Sequence, residues 1–280
     1  MNTYNVIKER VHETIKKYKL INKDDRVLLA LSGGKDSSVL AFVLNDLKEK
    51  IGFELHLLHI DVGIEKNKYL TERVKKIAEK LKLPLHIVKA PISIDKVFEK
   101  SQKENKKANL CRICGIERRY YYIKFALENN FNVIATGHNL NDEAETFLMN
   151  ILQNNWTAAI SNYIKKEKQG FPRKIKPLYF VSNEETEKAA RELDIIEKKE
   201  ECPYSRKAFR YLVRGFLNNL KEKDPAILNK IINFQLKFYE TINKDNINKE
   251  KELKKCKICG FPSQKEICKM CELKEKFKDS

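Results

Sequence analysis

Two sets of residues in this 280-residue chain have types and spacings that chemistry can use. Six of its seven cysteines fall in three Cys-x-x-Cys pairs, Cys111/Cys114, Cys256/Cys259 and Cys268/Cys271, and Cys202 stands alone. Thiolates so spaced bind soft metals or exchange disulfides. The second set is Ser32-Gly33-Gly34-Lys35-Asp36-Ser37-Ser38. Paired glycines let backbone N–H groups approach a phosphate. A helix starting behind them adds partial positive charge; Lys35 adds a full one, and Ser37 and Ser38 add hydroxyls. The spacing is not the Walker pattern, which needs four residues between its first Gly and the Gly-Lys pair. Asp36 would repel phosphate unless a divalent cation such as Mg2+ lies between them. The plainer alternative is a Gly-Gly turn with a solvated lysine.

Such a loop needs a strand before it and a helix after it. Residues 26–31 read as a buried strand and 39–47 as a helix. Further strands read at 53–60, 84–88 and 132–136, and further helices at 71–81, 116–128 and 141–152. Val6, Ile7, Val11, Ile15 and Tyr18 recur at helical spacing and predict a helix over residues 4–19. Alternating strands and helices imply an α/β fold, a doubly wound parallel sheet covered on both faces. Ligands of such sheets sit at the carboxyl ends of the strands. Residues 32–38, Asp61 and Gly137-His138-Asn139 all fall there. Gly137 and His138 read as facing a nucleotide, although a satisfied loop histidine is the alternative. Asp61 reads as a contact to nucleotide or Mg2+, or as a turn or helix cap.

Residues 155–180 look irregular and basic. Helices follow at about 183–193, 206–221 and 225–243, then a polar linker over 244–254 and a separate cysteine module over 255–274. The expected division is an N-terminal helix (1–22), a nucleotide-binding domain (23–200), a helical segment (201–246) and a small zinc-ribbon tail (250–280).

Lys and Arg number 56 against 39 Asp and Glu, a net charge of +17. A polyanion, nucleic acid first, is the natural partner of such a surface; a simple lysine bias is the alternative. No apolar run approaches the ~20 residues of a membrane span, and the first residues lack the apolar centre of a signal peptide. The expectation is a cytoplasmic protein without membrane contact, whose clustered cysteines serve metal or redox chemistry rather than disulfides.

Residues 32–37 look like the loop of the N-type ATP pyrophosphatases, with their adenine nucleotide alpha hydrolase-like fold. Members of that superfamily cleave ATP between its alpha and beta phosphates and adenylate a substrate oxygen. Three more features narrow the choice: Cys111-Arg-Ile-Cys114-Gly115-Ile-Glu-Arg118-Arg119, Thr136-Gly137-His138-Asn139-Leu140-Asn141-Asp142-Glu143-Ala144-Glu145, and Cys202-Pro203-Tyr204-Ser205. Together they resemble the TtcA/TtuA family of tRNA 2-thiolation enzymes over roughly residues 20–240. The resemblance implies a 4Fe–4S cluster on Cys111, Cys114 and Cys202. Clusters normally use four thiolates, so three leave one iron open to sulfide. Arg118 and Arg119 would offset thiolate charge. Two other uses stay open: a redox or persulfide pair resolved by Cys202, and a structural or zinc site. Relatives often carry Lys at the position of Arg118; Arg keeps the charge but cannot act as a base. Asn141 stands where many relatives carry Asp, leaving Asp142 as the candidate metal or base contact. The candidate catalytic residues are thus Asp36, Arg118, Asp142, Cys111, Cys114 and Cys202.

The four tail cysteines, Cys256, Cys259, Cys268 and Cys271, have the pattern of a closed tetrahedral Zn2+ site. So short a module would draw much of its folding energy from the metal. Lys254, Lys255, Lys257 and Lys269 suit docking of tRNA. Relatives commonly carry zinc modules at both ends, whereas residues 1–22 read as a helix here. The reaction expected is adenylation of a pyrimidine oxygen by ATP and its replacement by sulfur, giving 2-thiouridine or 2-thiocytidine. The base must leave its stack, water must be excluded, and basic residues in 165–176 and 206–214 would grip the tRNA backbone. The sulfur donor would be sulfide, a persulfide or a thiocarboxylated carrier protein, and the family's habit implies a homodimer. Two rivals remain: an adenylating tRNA-modifying ligase without sulfur chemistry, and a non-catalytic, nucleotide-regulated RNA-binding protein. Pyrophosphate release that depends on tRNA separates enzyme from binder.

Overall fold

The computed structural model describes residues 2–105, 108–161, 163–195, 202–205, 209–243 and 253–278. In chain order the elements are α1 (Thr3–Tyr18), β1 (Arg26–Ala30), α2 (Lys35–Ile51), β2 (Glu54–Asp61), α3 (Lys68–Leu81), β3 (Leu85–Lys89), α4 (Ile94–Lys103) and α5 (Leu110–Glu128). Then come β4 (Val133–Thr136), α6 (Leu140–Leu152), α7 (Trp156–Ser161), β5 (Lys165–Lys166), β6 (Arg173–Ile175) and α8 (Asn183–Glu192). The chain ends with α9 (Phe209–Lys223), α10 (Ile227–Asn243), β7 (Lys254–Lys255), β8 (Pro262–Ser263) and α11 (Lys269–Lys276).

The main sheet has the order β3-β2-β1-β4-β6-β5. Its pairs are parallel except β5 with β6, which is antiparallel. The doubly wound α/β sheet expected from the sequence is therefore present. The chain winds outward from β1 through β2 to β3, then returns to β4 on the other side of β1. The switch point thus lies between β1 and β4, which is where a doubly wound sheet opens a crevice.

Alternation along β1 divides the interior. Val27, Leu29 and Leu31 belong to one core with residues of α1, α2, α8 and α10, while Leu28 points to the other. The second core joins Leu58, Ile60 and Ile134 of the sheet to Val97 of α4, to Ile113, Tyr120 and Ile123 of α5, and to Cys256, Cys268, Met270 and Cys271 of the tail. The cysteine tail is therefore packed on α5, the Tyr120 and Phe261 rings lying 4.7 Å apart.

Two sequence expectations need correction. The helix expected from Ile116 begins at Leu110, capped by the Asn109 side chain on the N–H of Arg112, so Cys111 and Cys114 lie within its first turns rather than ahead of it. The stretch expected to be irregular holds α7, β5 and β6, and β6 extends the sheet next to β4. Polar α4 between β3 and α5 was not foreseen. The expected helix start at 206–208 and most of the linker, 244–252, lie outside the described residues.

Candidate nucleotide and metal site

The loop after β1 is held by its own serines. The Ser32 N–H donates to Ser37 Oγ at 3.1 Å, Gly34 N–H donates to Ser32 Oγ at 3.2 Å, and the Ser38 hydroxyl donates to Gly34 O at 2.9 Å. Gly33 has φ +82°, and a Cβ there would meet Leu70 O at 2.9 Å. Arg73 of α3 donates to Gly33 O at 3.1 Å. Gly34 caps α2 with no side chain of its own, leaving the helix N-terminus bare toward an anion.

The second loop presses on the first. A Cβ on Gly137 would lie 2.7 Å from Ser37 N and 2.8 Å from Ser37 Cα. Asn139 is fully buried and caps α6 in a capping box with Asp142. Its amide donates to Asp36 Oδ1 and Asn183 Oδ1, both at 2.9 Å. Lys35 Nζ reaches Asp36 Oδ1 at 2.7 Å, Asn183 Oδ1 at 2.7 Å and Thr186 Oγ1 at 2.9 Å. An ammonium has three donors, and all three are taken. Lys35 and Asp36 thus tie α2 to α8 and the second loop; with the serine hydroxyls engaged on Gly34 O and on one another, the donors left to face a phosphate are the backbone N–H groups of the first turn of α2. Sequence reasoning missed Asn139, Asn183 and Thr186 in this network.

Asp61 Oδ1 accepts from the Gly63 N–H at 2.9 Å, closing the turn after β2. Buried His59, also unforeseen, sits beneath the first loop; its Nδ1 pairs with Leu31 O at 2.9 Å and its Nε2 with Thr71 Oγ1 at 3.2 Å. Burial, with nearby Arg118 adding to it, holds its imidazole below the ordinary value. His138 Nδ1 pairs with Thr136 Oγ1 at 2.9 Å. Its ring meets solvent, and desolvation by the groups around it holds it below the ordinary value despite Glu143 and Asp142 nearby. Asp142 lies 3.5 Å from Arg210 Nη1, and Arg210 also donates to Thr146 Oγ1 at 2.7 Å. Arg214 forks onto buried Glu145 at 2.6 and 3.1 Å. Arg210 and Arg214, expected at a tRNA surface, therefore fasten α9 to α6; Arg206 lies outside the described residues.

The three remaining cysteines lie within one another's fields near the start of α5. Tyr204 anchors the Cys202 segment on α4, donating to Asp95 Oδ1 at 2.6 Å with its ring tilted against Phe98 at 5.1 Å. Burial pushes the Cys114 thiol up, Arg118 opposes this, and Cys202 and Cys111 lie within its field. Arg118 Nε is buried without a hydrogen-bond partner among the described residues, and its guanidinium lies within the field of Cys114, Tyr122 and Cys202. An unpartnered buried donor is costly, so this cation fits a site built for anionic sulfur. Neighbouring Glu117 is fully buried; its Oε1 accepts from Ile92 N–H at 3.2 Å, its Oε2 has no partner among the described residues, and burial raises its carboxyl to about 7.

Among the described residues only the tail cysteines gather their ligand atoms within 4.8 Å of one another. A tetrahedron with Zn–S of about 2.3 Å has S–S edges of about 3.8 Å, and Cys259 and Cys268 sulfurs lie 3.8 Å apart. The Cys268 N–H reaches Cys256 Sγ at 3.3 Å, and such backbone hydrogen bonds hold the Cys256 thiol at about 6. The quartet fits one tetrahedral ion. The trio Cys111, Cys114 and Cys202 does not gather its sulfurs so closely.

Comparisons with known proteins agree with this geometry. A family model described as a PP-loop domain matches residues 3–220. The chain is 40% identical over 266 residues to a tRNA-5-methyluridine(54) 2-sulfurtransferase of Pyrococcus horikoshii, covering 94% of this chain and 83% of the relative. It is 34% identical to the Thermotoga maritima protein of the same name, covering 96% and 87%. Among solved structures, the U34-tRNA thiolase NcsA from Methanococcus maripaludis with its [4Fe-4S] cluster superposes with a TM-score of 0.76 at 27% identity, covering 98% of this chain and 88% of that one. With a nucleotide loop at the switch point and a cysteine trio beside it, this chain belongs to the PP-loop family, in its branch of tRNA 2-sulfurtransferases.

Proposed function

We propose that the chain thiolates carbon 2 of a pyrimidine in tRNA. The observation that carries this reading is the convergence of two sites at one end of the sheet. The loop of residues 32–38 lies against Gly137, and Arg118 lies within the fields of both His59, beneath that loop, and the Cys114 and Cys202 thiols.

The backbone N–H groups of residues 32–38 would hold ATP phosphates at the N-terminus of α2, with Mg2+ balancing charge between Asp36 and the nucleotide. The base oxygen attacks the alpha phosphate and pyrophosphate leaves. A sulfur nucleophile then adds to carbon 2, and AMP departs with the former carbonyl oxygen. Cys111, Cys114 and Cys202 would hold a 4Fe–4S cluster, which supplies an open iron for sulfide. Arg118 supplies fixed positive charge where the thiolates and the departing phosphate concentrate negative charge. Entry of the tRNA base would have to exclude the water that otherwise hydrolyses the adenylate.

Zn2+ on the tail quartet would brace α5, since the tail packs on that helix. Lys254, Lys255, Lys257 and Lys269 extend a basic surface from there toward RNA. A homodimer is supported by the exposed apolar side chains Trp156, Phe216 and Phe234 on α7, α9 and α10. Among the described residues no helix is long and apolar enough to cross a membrane, and a reducing cytoplasm suits free thiols. The donor is free sulfide, a persulfide or a thiocarboxylated carrier.

The test measures iron, labile sulfide and zinc in protein purified without oxygen, together with tRNA-dependent pyrophosphate release. About four irons and one zinc per chain, with the iron lost in Cys111→Ala, support the reading. Activity from iron-free protein redirects it to persulfide chemistry on the same thiols. Absence of tRNA-dependent pyrophosphate release overturns it.

A further inference from the structure

Six basic side chains lie in residues 165–176, and the structure sorts them. Lys165 pairs with Glu167 at 2.9 Å, Lys176 with Glu143 at 2.6 Å, and Arg173 with Asp25. Lys168 lies over the Phe171 ring, 5.4 Å from its centroid. Lys166 and Lys174 have no acidic partner among the described residues.

These two are directly opposite each other in the antiparallel β5–β6 register. Directly opposed side chains share a face, and like charges so placed repel. In the parallel register with β4, Lys174 sits beside Ile134, whose side chain belongs to the core under α5. The pair therefore faces α5. Arg119 of α5 approaches from that side, with its Nε spent on Gly115 O at 2.8 Å. Desolvation, with the fields of Arg119, Lys166 and Lys176, lowers the Lys174 amine to about 8. Phe171 and Phe261, 6.2 Å apart, close the far end against the cysteine tail.

A fold gains nothing from three cations crowded without a counter-ion; an anionic ligand explains them. We propose that Lys166, Lys174 and Arg119 form a cradle for one or two backbone phosphates of the RNA flanking the nucleotide under modification. This rests on the tRNA reading above. Nucleotide phosphates are the other source of the same chemistry, but distance disfavours them. Strand spacings of about 4.8 Å and rises of about 3.3 Å per residue put Lys174 roughly 15 Å from the loop of residues 32–38. Lys176, two residues beyond Lys174 and within the field of His138, lies toward that loop, the direction a strand would take with its base swung into the site.

The test is equilibrium binding of an unmodified tRNA transcript by the full-length, metal-loaded protein across a range of salt concentrations. For the Lys166→Ala/Lys174→Ala variant the slope of log affinity against log salt becomes shallower by about one to two. ATP affinity and iron content stay unchanged, and Lys166→Arg/Lys174→Arg keeps the slope. Without RNA at low salt, the alanine variant melts no lower than the unaltered protein, because a repulsive pair has gone. Intact tRNA binding with an unchanged slope overturns the cradle alone. Weakened ATP binding also overturns it, assigning these cations to the nucleotide. No tRNA binding by the unaltered protein overturns the thiolation reading and the cradle together.

Discussion

Gly137 rests its bare Cα against the backbone of Ser37, so that a Cβ at 137 would lie 2.7 Å from the Ser37 nitrogen. The contact joins the carboxyl ends of β4 and β1, the two strands that flank the switch point. Neither partner can yield easily, because the intruded atoms are backbone in the first turn of α2. Gly137→Ala should therefore displace the phosphate loop, destabilising the fold by about 1–3 kcal/mol and weakening ATP binding by roughly tenfold or more. Calorimetric titration with ATP and a thermal melt read both. Unchanged ATP affinity would show that the loop has slack the geometry denies.

The two proposed metal sites should respond asymmetrically to loss of a ligand. α5 carries Cys111 and Cys114 near its start, and its Tyr120 packs against Phe261 and hydrogen-bonds Cys259 in the tail. Cys111→Ala is expected to lose iron and keep zinc. Cys268→Ala is expected to lose zinc, uncover α5 and lose part of its iron as well. Elemental analysis of both variants decides this; full iron retention in Cys268→Ala would make the tail independent of the cluster helix.

The sheet and its motifs were legible because they rest on local pattern. Buried runs such as residues 26–31 and glycines at strand ends carry their own signal. What escaped rests on tertiary contact. Nothing local marks Thr186 or Asn183 as partners of Lys35, since α8 reaches the loop only after the chain has crossed the sheet. β5 and β6 are too short and too basic to show strand periodicity, and the sheet edge imposes their conformation. The helix expected from Ile116 leaves Cys111 and Cys114 ahead of it, yet Asn109 caps the helix upstream and Gly115 is tolerated inside it. The basic residues near 165–176 and 206–214 looked alike in sequence, and the positions of acids such as Glu143, Glu145 and Asp25, distant in the chain, separate paired cations from unpaired ones.

His59 links the phosphate loop to pH. Its imidazole is held below the ordinary value by burial. Below that ordinary value, about 6.5, the unfolded chain binds a proton that the folded chain resists. Stability therefore falls as pH drops through and below about 6.5 and is insensitive to this group at pH 8. His59→Asn keeps a donor for Leu31 O but cannot charge. Its stability difference between pH 7.5 and pH 5.5, from urea unfolding, should be smaller than that of the unaltered protein. An identical difference in both would assign the acid sensitivity elsewhere.

Arg118 should matter for its charge more than for its shape. Its Nε has no hydrogen-bond partner among the described residues, and its guanidinium lies within the field of Cys114, Cys202 and Tyr122. Removing one preorganised electrostatic group from an active site commonly lowers turnover by about 10²–10³. Arg118→Gln is expected to show a loss of that size in single-turnover thiolation, with iron retained. Arg118→Lys keeps the charge without the rigid fork and should recover part of the rate. The split between the two variants is what a packing role would not produce, because both shorten the side chain and leave comparable space. Full activity in Arg118→Gln would remove Arg118 from the reaction. Loss of iron in Arg118→Gln but not in Arg118→Lys would instead locate its charge at the thiolates, as the holder of the sulfur site rather than the stabiliser of the leaving phosphate.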